Sequence, residues 1–172
     1  MALREIITYP HPVLRKVSRR VTAFDDELKQ LVLDMGETMF AAPGVGLAAN
    51  QVAVALQVVV INQSENQEEK KFISLVNPVI SAGEGAIIDE EGCLSVIECQ
   101  AKVTRFKKIH VQAQDIEGNH LEFDAQDRFA RIIQHEVDHL NGTLFIDRLS
   151  SLKRGLYKKK LKKILKQQKM PA

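Results

Sequence analysis

His135 and His139 stand four residues apart in "QHEVDHLNG" (134–142), with Glu136 directly after the first. On a helix, positions four apart differ by about 40° around the axis, so both imidazoles project from one face and can hold one ion. Glu136 lies about 100° round from His135, near enough to reach a water on that ion without binding the ion itself. Phe129, Ile133, Val137 and Leu140 form a neighbouring apolar arc, so the histidines flank a stripe that a core would bury. A solvated helix with two incidental histidines has the same spacing; the apolar arc is what favours a partly dry metal site.

Catalytic metal sites commonly take three protein ligands and keep one position for water. His11, His110, His120, both cysteines and many carboxylates are available as the third. A three-histidine completion of this motif would need histidine at position 145, which is Phe145. Cys93 in "EEGCLS" is a better candidate, because the preceding glycine permits a tight turn and a thiolate adds negative charge beside two neutral imidazoles. Its competing reading is a small buried hydrophobe, and Cys99 shows nothing beyond that reading.

The elements that must position these residues are legible as changes of period. "DDELKQLVLDMGETMF" has Leu28, Leu31, Met35 and Met39 at helical spacing, predicting a helix from about Asp25 to Ala41 with Thr22 as its N-cap. Pro43 and the glycines of "PGVGLAANQ" then predict a loop. "QVVVINQ" and "KFISLVNP" read as strands, followed by a stretch near Ala86 to Asp89, then "KVTRF" and "KIHVQAQD". The turn "IEGN" leads into "HLEFDA", which forms a hairpin candidate with the strand before it. Helical spacing returns from Gln126 to about Leu140 and Gly142 closes it, and a last helix is expected over about 150–168. Hairpin-like connections predict an α+β fold, mainly antiparallel sheets around a central helix carrying the histidine motif, plus a C-terminal helix.

The 172 residues suit one domain spanning 1–172. Hydrophobic content of 45% with 27% charged residues is that of an ordinary globular chain, not a disordered one. The N-terminal segment has no secretory-signal pattern and no apolar run nears the roughly 20 residues that span a bilayer, so the expected setting is cytoplasmic and off the membrane. Two cysteines are too few for a disulfide scaffold. The net charge of +2 is unevenly spread: residues 153–169 hold nine Lys or Arg and no acid, leaving 15 basic against 22 acidic residues elsewhere, a net of −7. A basic tail on an acidic body suggests an anionic partner.

Taken together, "GVGLAANQ" (44–51), "EEGCLS" (90–95) and "QHEVDHLNG" resemble, in order and spacing, the three signature motifs of the peptide deformylase family. The likeness extends to "PHPVLRKV", the first helix and the intervening strands. It implies that Cys93, His135 and His139 ligate one divalent metal, usually ferrous iron, although zinc, nickel or cobalt suit the same donors. It makes Glu136 the general base and acid, and the Gln51 amide and the Leu94 backbone N–H the oxyanion donors. Gly44, Val45 and Gly46 match the loop lying along the substrate, and Phe129 and Ile132 are expected to line the methionine pocket. The implied reaction removes the N-formyl group from the N-terminal formylmethionine of newly made polypeptides and releases formate. Some members dock on the ribosome through a basic terminal helix, so the lysine-rich tail is expected to do so; a monomer is expected.

One stretch departs from the family. "CLSVIECQ" has Ile97 where a proline is usual and Gln100 near a usual arginine, so a looser or rerouted strand is expected beside the cleft. The competing readings are a metallopeptidase cutting internal bonds and a binding protein that has lost catalysis.

Overall fold

The apolar run of "QVVVINQ" is continuous rather than alternating, as expected of a strand covered on both faces, and that is where it lies. The structure, a computed structural model, describes residues 2–169. Its elements run α1 (Asp26–Ala41), β1 (Gly46–Ala48), β2 (Val58–Asn62), β3 (Phe72–Glu84), β4 (Ile87–Cys93), β5 (Val96–Arg105), β6 (Lys108–Gln114), β7 (His120–Gln126), α2 (Asp127–Leu140) and α3 (Ser151–Lys169). Short 3-10 turns occupy Pro12–Arg15, Ala49–Val52 and Phe145–Arg148. Five strands form one antiparallel sheet in the order β1-β2-β3-β6-β7, and β4 and β5 form a separate antiparallel ribbon. The fold is α+β with mainly antiparallel sheet, as expected.

Alternation along β2 divides the core. Val58 and Val60 pack with Leu28, Leu31, Met35 and Met39 of α1, whereas Val59 and Ile61 face the opposite way onto Ala130 and Ile133 of α2. The helices thus cover opposite faces of one sheet. A third cluster joins Val96 and Val103 of β5 to Leu144, Phe145 and Ile146 and to Tyr157 and Leu161 of α3. Among the described residues no helix is long and apolar enough to cross a membrane.

Several local expectations change. The N-cap of α1 is Asp25, whose carboxylate accepts from Leu28 N–H at 3.0 Å, and not Thr22, which lies too far upstream to reach the first turn. Gly46–Ala48, expected as loop, pairs with Ile61–Val59 as an edge strand. β3 continues past Pro78, because the register breaks between Val76 and Val79 and a proline inside a bulge has no ladder hydrogen bond to lose. Asn77 takes φ 51° there, and its side chain accepts from Val21 N–H and donates to Val21 C=O. α3 docks through Tyr157 and Leu161, while Leu152 and Leu156 are 73% and 59% exposed. Those two lie roughly opposite Tyr157 and Leu161 at about 100° per residue.

The N-terminal segment is tied to α1 by Asp34, which accepts from Ala2 N–H at 2.9 Å and from Arg4 Nε at 3.1 Å. Burial works against this carboxylate's charge, but the Ala2 N–H, Gln30 and Arg4 together hold it below its usual pKa. A depressed carboxylate contributes stability above its unfolded pKa of about 3.9 and loses it as pH falls through the folded value. Wild type is therefore expected to exceed Asp34→Asn in urea midpoint at pH 6, with the gap closing below about pH 4.

Candidate functional site

Three separated segments converge at the middle of α2. His135 and His139, one turn apart, have ring centroids 5.0 Å apart, and the His135 ring stacks on Phe145 at 6.0 Å. The residue whose identity excluded a third histidine is thus a packing surface for the first. Cys93 ends β4 with Sγ 3.3 Å from His139 Nε2. Ligand atoms of Cys93, His135 and His139 all lie within 4.8 Å of one another. Gly92 before Cys93 is extended strand rather than the turn expected there; the chain reverses at Leu94 and Ser95, where Cys93 pairs with Val96.

This donor set suits a divalent ion. His135 Nδ1 donates to Glu91 Oε1 at 2.8 Å, which leaves Nε2 for the site. A carboxylate behind a histidine is how metal-binding imidazoles are commonly oriented. Glu91 in turn accepts from Arg105 Nε and Nη2, both at 2.9 Å, and Arg105 also reaches Asp138. Burial penalises the Glu91 charge, yet Arg105 and His135 hold its pKa near 2. Burial likewise opposes charge on His135, but Cys93 and Glu91 raise it to about 10. Burial, with the charges of His135 and Arg105, keeps His139 neutral well below 6.5. Metal binding at such a site needs the thiol deprotonated and the ligating imidazole nitrogens free of protons, so it is coupled to proton release.

Glu136 is buried beside this cluster, with Oε1 3.9 Å from His135 Nε2 and Oε2 lacking a hydrogen-bond partner among the described residues. Burial chiefly, with the charge of Glu91, lifts it to about 7 against the opposing pull of His135 and Arg105. Room for its side chain comes from Gly46, where a Cβ would sit 3.0 to 3.1 Å from Glu136 Cγ, Cδ and Oε1. At Gly44 a Cβ would meet Leu94 Cδ1 at 2.9 Å. These glycines let the loop press against α2 and the β4–β5 turn.

Gln51 lies in the Ala49–Val52 turn, and its orientation is set by Ala48 N–H donating to Oε1 at 2.9 Å. Its Nε2 then donates to Ser95 Oγ at 3.0 Å and faces Cys93 Sγ at 3.7 Å. Neighbouring Asn50 donates to His139 C=O at 2.6 Å, locking the turn to α2.

A cleft of about 800 Å³ opens over the cluster, and Gly44, Val45, Gly46, Gln51, Cys93, Leu94, Ile132, His135 and Glu136 all line it. His139 lies buried beneath. Phe129 is not on the wall: its ring stacks on Phe123 at 5.9 Å and packs with the sheet-side cluster. Six helical positions from His135 it points away from that residue, whereas Arg131, four positions before His135, lies beside Ile132 on the wall. Glu91, Asn50 and Arg105 were missed from the sequence. Glu91 left a usable signal, since strand alternation puts it on the same face as Cys93. Replacing it with Gln keeps the shape but removes the ionised partner of His135. Metal affinity, measured by competition with a chelating dye, is expected to fall about 10- to 100-fold.

A model of the polypeptide deformylase family matches residues 3–155. A peptide deformylase of Desulfotalea psychrophila is 51% identical over 164 residues, covering 95% of this chain and 97% of the relative. One from Syntrophobacter fumaroxidans is 45% identical over 167 residues, covering 97% and 98%. The crystal structure of a peptide deformylase from Legionella pneumophila superposes with a TM-score of 0.89 at 42% identity, covering 99% of this chain and 100% of that one.

Proposed function

The chain belongs to the peptide deformylase family, hydrolases that remove the N-formyl group from newly made polypeptides, and we propose that it does so with Cys93, His135 and His139 as metal ligands and Glu136 as the group that moves the proton. The observation that carries the assignment is Glu136 itself: a buried carboxylate on the cleft wall beside the three-ligand cluster, with one oxygen that has no hydrogen-bond partner among the described residues. Its burial raises its pKa toward the range in which a general acid and base works best.

One thiolate and two imidazoles make three ligands, which suits a catalytic site with a position left for water. When bound there, a divalent ion polarises the formyl carbonyl and brings the pKa of a water toward neutrality. Glu136 accepts the proton of the water that attacks the formyl carbon and passes it to the amine nitrogen as the C–N bond breaks. Formate and a free N-terminal methionine are the products. The Gln51 amide, held by its Oε1 to Ala48 N–H, and the Leu94 N–H meet the charge that builds on the formyl oxygen. Gly44, Val45 and Gly46 run along the peptide, and Ile132 with Leu94 shapes the methionine side-chain pocket.

Ferrous iron is the proposed resident ion in a cytoplasmic setting. Zinc, nickel and cobalt suit the same donors, so metal analysis of protein purified without oxygen, paired with activity, decides the identity. Formate release from a formyl-methionyl dipeptide is expected to fall about 10²- to 10⁴-fold in Glu136→Ala with metal still bound. Undiminished release would overturn the assignment. In Gln51→Leu, kcat is expected to drop about 100-fold or more.

The basic helix is proposed to dock on the ribosome. Lys159, Lys163 and Lys166 project from the exposed side of α3, the same side as Leu152 and Leu156. Because Tyr157 and Leu161 are core residues, deleting the helix would disturb the fold, and charge reversal is the cleaner test. Ribosome affinity at about 50 mM salt is expected to fall at least roughly tenfold in a Lys159→Glu, Lys163→Glu, Lys166→Glu variant, and to fall steeply with salt in the wild type. Equal affinity for both proteins would sink the docking proposal.

A further inference from the structure

β4 and β5 pair regularly up to Gly92 with Gln100, then resume only at Cys93 with Val96. Ile97, Glu98 and Cys99 therefore bulge out of the ribbon, and Glu98 takes φ 50°, which a side chain other than glycine rarely adopts. All three residues line the cleft. A bulge without strand partners needs other groups to hold its backbone, and α3 supplies them. Tyr157 Oη donates to Ile97 C=O at 2.8 Å, and Lys160 Nζ donates to Glu98 C=O at 2.8 Å. Below these contacts Ile97 and Cys99 pack against the cluster containing Tyr157 and Leu161, and Lys160 itself reaches the cleft wall.

We propose that α3 completes the peptide-binding cleft, with Tyr157 and Lys160 as positioning residues that hold the Ile97–Cys99 bulge in place as the wall for the peptide beyond its formylmethionine. This rests on the deformylase reading. Two consecutive carbonyls are turned onto one helix, so the opposite edge of the bulge is presented to the cleft in a fixed shape. The Glu98 backbone conformation persists because both flanking contacts impose it. Neither residue lies at the metal cluster, so their influence falls on how a peptide is held more than on how its formyl bond is cut.

The test compares KM and kcat for formylmethionine amide and for a neutral formyl-Met-Ala-Ala-Ala amide. Tyr157→Phe removes one hydroxyl and keeps the ring that packs; Lys160→Met removes the exposed ammonium and leaves the core untouched, so at least one variant remains folded. In each, the ratio of the longer peptide's KM to that of formylmethionine amide is expected to rise about five- to tenfold, as loss of one hydrogen bond would produce. The change is expected in KM and not in kcat, with Lys160→Arg restoring the wild-type ratio. An unchanged ratio in both variants, or a loss confined to kcat, overturns the proposal. If Glu136→Ala abolishes formate release while the KM ratio does not move, only this inference fails and the deformylase reading stands.

Discussion

The site depends on one buried arginine. Arg105 is 2% exposed in its side chain and lies against Glu91, 1% exposed, in a two-point contact that also brings in Asp138. An arginine does not give up its proton in a protein, so Glu91 stays ionised in a place where burial alone would neutralise it. An ionised Glu91 fixes His135 with its proton on Nδ1 and its other nitrogen toward Cys93. One charge pair thereby joins β5, β4 and α2 and sets the direction of a ligand. Burying such a pair costs nearly as much as it returns, and removing one member commonly costs about 3 to 5 kcal/mol. Its value here is orientation more than stability. Arg148 extends the network to Asp138 from the far side, at 2.7 Å.

Around that pair, the other parts of the site are held by close approach. Gly46 leaves the space that Glu136 fills, and Gly142, at φ 75°, leaves the space that the Arg15 carbonyl fills, where a Cβ would fall 2.5 Å away. The glycines of the 44–46 loop were expected to leave room for a substrate; in the structure they also leave room for the protein's own side chains. Gly46 packs against Glu136 on the cleft wall, and the resulting burial is the largest cause of its raised pKa.

The stretch that departs from the family forms the bulge that α3 holds. Where a proline would have stiffened the strand, Ile97 is fixed by a phenol from α3, and its carbonyl rather than its φ angle is what is controlled. The same helix carries the basic face. A segment that reads as a solvated lysine tail is therefore also part of the wall behind the metal ligands, with its apolar contacts made by Tyr157 and Leu161.

The sequence by itself determined whatever depends on local periodicity or on local residue type. Helical spacing put His135 and His139 on one face with Glu136 about 100° round from His135, the β-branched run of β2 marked a strand, and the hairpin turn matches β6 and β7. The motifs with their order were enough to nominate Cys93 and Gln51. Tertiary structure alone decided the rest. Three residues are too few for a periodic signal, so β1 became a strand only because β2 offered an edge. Phe129, expected on the cleft wall, packs with the sheet-side cluster, and Arg131 lines the cleft, because the sheet and the cleft claim different sides of α2. Asp25 displaced Thr22 as cap because it is the residue within reach of Leu28 N–H. Glu91 and Arg105 were unreadable as a pair, being fourteen residues apart and joined only by the register of two strands. Local angles propagate along a chain, but partners across it are chosen by packing.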